Sequence, residues 1–169
     1  MNAEERRAKI IELLKSGKRP LSGSELAGLF KVTRQVIVQD IAILRAAGND
    51  ITATSQGYIM TQPYEFCSKK IAVRHDERKT REELLTFVEC GCRVMDVIVE
   101  HPLYGELRGI LMLRDSGDVE EFMKKVEKSN AALLSMLTKG VHLHTVEALN
   151  GDSIKKAEQA LREKGILLE

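Results

Sequence analysis

Residues 22–60 read SGSELAGLFKVTRQVIVQDIAILRAAGNDITATSQGYIM, and this stretch decides the first part of the fold. It opens on Ser22-x-x-Glu25, the spacing of a capping box, in which the hydroxyl and the carboxylate each accept from the other residue's amide. A short helix follows, with Leu26, Leu29 and Phe30 expected to face inward. Lys31-Val32-Thr33 then leads directly into a second apolar period, Ile37, Ile41 and Leu44, which predicts a helix from Arg34 to Ala47. Two helices joined by so short a turn cannot pack antiparallel. They cross steeply, as in a helix-turn-helix. After Gly48, two β-like runs flank Ser55-Gln56-Gly57, a tight hairpin in the position of a wing.

Working outward, residues 3–16 form an amphipathic period with Ala8, Ile11 and Leu14 on one face and Arg6, Lys9 and Lys15 off it, ended by Gly17. In the second helix of the pair, Arg34, Gln35, Val38 and Gln39 point away from the apolar stripe, near the helix N-terminus. That is where a recognition helix presents side chains to base edges, glutamine suiting adenine and arginine suiting guanine. Thr33 at the N-cap suits a phosphate. The expected reading face is therefore Thr33, Arg34, Gln35 and Gln39, with Gln56 at the wing. Asp40 would repel phosphate and is expected to cap or pair internally. A protein-contact module is the bland alternative for such a domain. The net charge of the chain is only +1, so any DNA binding must come from a local surface.

The periodic signal changes near residue 61. Thr61-Gln62-Pro63-Tyr64 is the natural seam, because Pro63 lacks a backbone donor and disfavours helix just before it. Two domains are expected, a winged helix over 1–62 and a second over 68–169, and all four histidines lie in the second. No apolar run approaches the roughly 18 residues a membrane span needs. The opening MNAEERRAKIIELL is charged and amphipathic, with no signal-peptide core, so a cytoplasmic product is expected. Cys67, Cys90 and Cys92 are odd in number and lack CxxC spacing, and read as reduced, partly buried thiols.

Beyond the seam the pattern reads strand (69–74), helix (80–90), strand (93–100), strand (106–113), helix (118–129), helix (131–138), strand (140–148), helix (153–164) and a last short strand (166–168). The expected class is α+β, a two-layer sandwich. In His142-Leu143-His144 the two imidazoles share one face of a strand, with Leu143 directed to a core. His75 sits where a strand ends and Glu83 in the first turn of the next helix, an arrangement that can aim two ligands at one point. Three imidazoles and a carboxylate would suit zinc, nickel, iron or cobalt rather than magnesium or calcium. Bland readings stand beside this one: paired strand histidines can be satisfied core, and Thr80-x-x-Glu83 also fits a capping box.

The 22–60 string resembles the winged helix of the biotin-repressor type, through its Leu-Ala pair, Val-Thr-Arg turn, Asp-Ile-x-x-Leu and Gly-Tyr wing. HDERKTREELL, EHPLYGELRGIL and VHLHTVEAL resemble the three histidine-bearing blocks of the 3H domain. Together the two halves look like the niacin-responsive repressor family, which shuts down NAD biosynthesis and niacin salvage genes. The resemblance implies a double-stranded DNA operator, nicotinic acid as effector, a homodimer joined through the 3H domain, and no enzymatic activity. It also implies one divalent transition metal per chain, nickel or zinc before iron or cobalt, held by His75, Glu83, His142 and His144. His101 and Tyr104, in the middle block, become candidates for contact with the effector. A regulator that senses the metal itself is the nearest alternative. A metal-dependent hydrolase fused to a DNA-binding module is the alternative from another class, although no general base is left once four ligands are assigned.

Overall fold

The computed structural model describes residues 1–60 and 66–169. The seam expected at residues 61–64 lies outside them. The chain divides into two compact units, residues 1–63 and 64–169.

The first unit is a winged helix-turn-helix. Helix α1 (Ala3–Ser16) starts at an Asn2–Glu5 capping box. Helix α2 (Gly23–Phe30) starts at the expected box, with Glu25 Oε2 accepting from the Ser22 amide at 2.7 Å. Lys31 turns the chain in a left-handed conformation, and Thr33 caps helix α3 (Arg34–Ala46). Strands β1 (Ile51–Thr54) and β2 (Gly57–Met60) pair antiparallel as the wing. Tyr58 also exchanges backbone hydrogen bonds with Leu21, which ties the wing to the segment before α2.

Two inward faces differ from the sequence reading. Helix α1 buries Ile10 and Leu14, while Ala8 is exposed and Ile11 only half-buried. The helix is rotated because Arg6 and Arg7 turn inward onto Asp40, a buried carboxylate on α3. Arg6 Nε meets Asp40 Oδ2 at 2.6 Å and Arg7 meets Oδ1 at 3.4 Å. Asp40 does pair internally, and one of its partners, Arg6, is a residue that hydrophobic periodicity had put off the apolar face. On α2 the stripe centres on Gly23, Leu26, Ala27 and Phe30, and Leu29 lies about 110° round from that centre at 100° per residue, 62% exposed. Asp40→Ala would leave two half-buried guanidiniums facing a void. It is expected to lower the thermal midpoint of the first unit by several degrees, with partial recovery in Asp40→Asn, as read by calorimetry.

The second unit has α+β architecture. Strands β3 (Cys67–Arg74), β4 (Arg93–His101), β5 (Gly105–Leu113) and β6 (Val141–Ala148) form one sheet in the order β3-β6-β4-β5, every neighbouring pair antiparallel. Helices α4 (Thr80–Glu89), α5 (Ser116–Lys128) and α6 (Gly151–Glu163) supply the facing core residues, among them Leu84, Phe87, Val119, Ala157 and Leu161. They pack on Ile71, Val73, Val94, Leu113 and Val146 of the sheet. The stretch expected as helix 131–138 is a 3-10 turn over Leu134–Thr138, and the expected last strand is reduced to one bridge between Leu167 and Val73. Leu143 does not enter a core. It lies half-buried on the other face, between its partners Ala72 and Ile98, and the histidines beside it point to the helix side.

All three cysteines are free: Cys67 is exposed, Cys90 half-buried and Cys92 buried. Burial, and secondarily the neighbouring Cys90, pushes the Cys92 thiol up to about 11, so it stays protonated at neutral pH. Among the described residues, no helix is long and apolar enough to cross a membrane.

Candidate metal centre and DNA-reading face

Three elements converge on one carboxylate. Strand β3 ends at Arg74 and delivers His75, α4 delivers Glu83 one turn in, and β6 delivers His142 and His144. Register explains the convergence: Val73 pairs with His142 and Ile71 with His144, so the β6 imidazoles stand on the helix face beside the end of β3. Nε2 of His75 lies 2.6 Å from Glu83 Oε2. Nε2 of His142 and of His144 lie 3.3 and 3.0 Å from Glu83 Oε1. All four residues are buried, Glu83 to 1% exposure.

The opposite edge of each ring decides the chemistry. His75 Nδ1 donates to the Asp76 carbonyl at 2.6 Å, His142 Nδ1 to Gly140 at 2.8 Å and His144 Nδ1 to Asp96 at 2.6 Å. A carbonyl only accepts, so each Nδ1 carries a proton. Each Nε2 then aims at the carboxylate, holding a lone pair where the ring is neutral and donating to Glu83 where it is charged. Either way the carboxylate and three ring nitrogens need cations between them, protons on Nε2 or a metal ion in their place. Glu83 Oε1 and His144 Nε2 face each other at 3.0 Å without forming a hydrogen bond.

The electrostatics agree. Burial acts to raise the Glu83 carboxyl, but the charge of His144 and the close approach of all three imidazoles hold it well below the usual range. Burial acts to lower His75 and His144, and Glu83 overcomes it, so both are raised. The cluster thus favours positive charge around Glu83. Three imidazole nitrogens and a carboxylate oxygen, each imidazole oriented by a backbone carbonyl, fit a borderline transition metal. The donor atoms of His75, Glu83 and His142 all lie within 4.8 Å of one another. His144 joins through Glu83 rather than through the whole set. The capping alternative for Glu83 does not hold: α4 has no side-chain N-cap bond, and Asp76 caps the preceding 3-10 turn.

Two supporting residues, Gly140 and Asp96, were not singled out in the sequence, and a third, Thr80, was read there only as a helix cap. Gly140 has φ 89°, and a Cβ there would sit 2.2 Å from the His75 carbonyl oxygen. Asp96 stands at a β-bulge; besides its carbonyl contact to His144, its carboxylate accepts from the Thr145 amide at 2.7 Å. Its signal was a carboxylate inside the apolar run Val94–Val99. Thr80 is buried beside the cluster with an unpartnered hydroxyl. His101 and Tyr104 stand elsewhere, at the β4–β5 hairpin. His101 Nδ1 accepts from the Leu103 and Tyr104 amides, and Tyr104 is 70% exposed. Neither lines the cavities at the cluster.

In the first unit, Thr33, Arg34, Gln35 and Gln39 are all exposed along the start of α3, and Val38 is half-buried. The Thr33 hydroxyl accepts from the Val36 amide at 3.4 Å. Gln56 occupies the two-residue turn of the wing. The exposed part of this face is polar.

Two known families match: an HTH domain over residues 6–59 and the 3H domain over residues 68–169. A protein of Thermotoga maritima named "Probable transcription repressor NiaR" is 42% identical over 166 residues, covering 98% of this chain and 95% of that protein. The "Transcription repressor NadR" of Bacillus subtilis is 45% identical over 168 residues, covering 97% of this chain and 93% of that protein. An uncharacterised protein of Methanothermus fervidus is 35% identical over 105 residues, or 58% of this chain and 16% of that protein. Both full-length relatives are named as repressors and not as enzymes. The chain belongs to the 3H domain family, in the form that carries an N-terminal HTH domain.

Proposed function

We propose that this chain is a DNA-binding transcription repressor of NAD biosynthesis and niacin salvage genes, cytoplasmic and homodimeric, with nicotinic acid as effector and one divalent transition metal per 3H domain. The observation that carries the metal is the set of three Nε2 atoms turned onto Glu83 by backbone carbonyls that hold the Nδ1 edges. Nickel or zinc suits this donor set first, with His75, Glu83, His142 and His144 as its holders. Bound there, a metal supplies a fixed positive charge and coordination for an anionic or nitrogen-bearing ligand. The DNA half of the reading rests on the two full-length repressor relatives and on the exposed Thr33–Gln39 face.

For the effector to act, it must bind the DNA-competent and incompetent arrangements with different affinity. Operator binding of the metal-loaded protein, followed by fluorescence anisotropy, should shift about tenfold or more between zero and saturating nicotinic acid. The reciprocal titration, metal at fixed nicotinic acid, separates this reading from a pure metal sensor. No response to nicotinic acid would overturn the effector. Gln35→Ala and Gln39→Ala should each weaken operator binding by about 1–3 kcal/mol and leave metal content unchanged.

A further inference from the structure

The three carbonyls that orient the imidazoles do not come from equivalent places. Those of Asp76 and Gly140 lie in the segments just outside β3 and β6, close in sequence to the ring each holds. The Asp96 carbonyl belongs to β4, inside the sheet, where a carbonyl is ordinarily committed to the ladder. Irregularity on both sides spares it that commitment. Toward β6, residues 95–97 stand against only 144 and 145, between the Val94–Val146 and Ile98–Leu143 pairs. Toward β5 the register shifts again between Val94 and Asp96, and Met112 there takes φ 54°, a conformation that non-glycine residues rarely adopt. A bulge of this kind re-aims a group and ends its ladder pairing. The side chain of the same residue makes good the loss. Asp96 Oδ1 accepts from the Thr145 amide at 2.7 Å, while the Asp96 carbonyl accepts from His144 Nδ1 at 2.6 Å. Its second carboxylate oxygen faces Arg108 Nε at 3.3 Å. A Cβ at Gly109 would touch Val97 and Leu134, which share the cluster's cavity, so Arg108 beside it projects to the opposite face of the sheet.

We infer that Asp96 is the positioning residue of His144: its carboxylate takes the ladder position that its own carbonyl would otherwise fill, and so frees that carbonyl to hold the imidazole. This rests on the metal reading above and concerns how one ligand of that centre is aimed. It accounts for an acidic side chain buried to 3% exposure inside an apolar strand. With an apolar residue at position 96, the Thr145 amide loses its acceptor. An amide left unpaired inside a sheet is costly, and relaxing the bulge to reclaim the backbone carbonyl relieves it. That carbonyl then turns away from His144. Arg108 has a different task. It neutralises a carboxylate that is only 5% exposed, reaching it from the face opposite the cluster. What His144 requires from the Asp96 side chain is an acceptor for Thr145 and not a charge. An asparagine supplies that acceptor, and an alanine does not.

The test is made on the full chain, by nuclear magnetic resonance with 15N-labelled histidine and by titration with nickel, zinc and cobalt. Wild type should show a His144 Nδ1 proton that exchanges slowly with solvent, with or without metal, because the ring is buried and the proton is held by Asp96. Asp96→Ala should lose that protection, bind nickel or zinc about tenfold or more weakly, and change the visible spectrum of the cobalt-loaded protein. Asp96→Ser, whose hydroxyl is too short to replace the carboxylate, carries the same expectation if Asp96→Ala does not fold. Asp96→Asn should keep the protected proton and bind metal within about threefold of wild type. Arg108→Met should keep the proton but lower the urea midpoint, and Asp96→Asn added to it should recover the midpoint. A folded Asp96→Ala or Asp96→Ser that keeps the protected proton, or binds metal as wild type does, overturns the proposal. So does an Asp96→Asn protein as damaged as Asp96→Ala, or a wild type without the protected proton. Wild type that binds none of the three metals removes the metal reading, and the proton alone then decides the positioning.

Discussion

Glu83→Gln is expected to fold and yet to lose metal retention, with affinity reduced roughly 100-fold or more, because even supporting partners of metal ligands cost 10–100-fold. Glu83 is the single group that all three imidazoles face, at 2.6, 3.0 and 3.3 Å. The amide keeps the shape and removes the charge that the three Nε2 atoms converge upon. A metal that binds only the folded state stabilises it by RT ln(1 + [L]/Kd), about 4 kcal/mol at a thousandfold excess over Kd. The midpoint of wild type should therefore rise on metal addition and fall with chelator, and that of Glu83→Gln should respond to neither. His101→Ala serves as the control. Its ring is engaged with the hairpin backbone, so metal content should be unchanged. Equal metal content in wild type and Glu83→Gln would remove the site.

What was legible in the sequence was whatever depends on spacing. A three-residue turn between two apolar periods specified crossed helices, and the i, i+2 histidines shared a face because strand geometry permits nothing else. The strand-to-helix junction brought His75 and Glu83 forward as candidates, but the four-residue metal set came from the resemblance, because the spacing alone left the bland readings open. What periodicity could not see was polar burial. Arg6 looked like a solvent-facing charge, yet Asp40 draws it and Arg7 inward and rotates α1 away from Ala8. Leu143 looked like the core residue of its strand, although the three-helix layer chose the histidine face instead. Nor did the spacing show which carbonyls would take the Nδ1 protons. One of those acceptors, Asp96, comes from a strand forty-eight positions away from His144.

Gly140→Ala is expected to damage the centre, although Gly140 offers no side chain. The residue has φ 89°, so any L side chain is strained there, at about 1–3 kcal/mol. A Cβ would also fall 2.2 Å from the His75 carbonyl oxygen and 3.0 Å from its carbonyl carbon, both backbone atoms that no rotamer can move. Relief requires the start of β6 to retreat from the end of β3. That retreat separates His75 from His142, whose rings now stand 5.0 Å apart, and it shifts the Gly140 carbonyl that orients His142. Metal affinity should fall about tenfold or more, and the second unit should lose about 3 kcal/mol or more once overpacking is added. Gly48 supplies the comparison, because it has the same φ of 89° with nothing within 4 Å of its would-be Cβ. Gly48→Ala should therefore cost only the backbone strain, about 1 kcal/mol, with metal binding untouched. If the two substitutions proved equally mild in metal titration and denaturant unfolding, the close approach of β6 to His75 would not be what assembles the site.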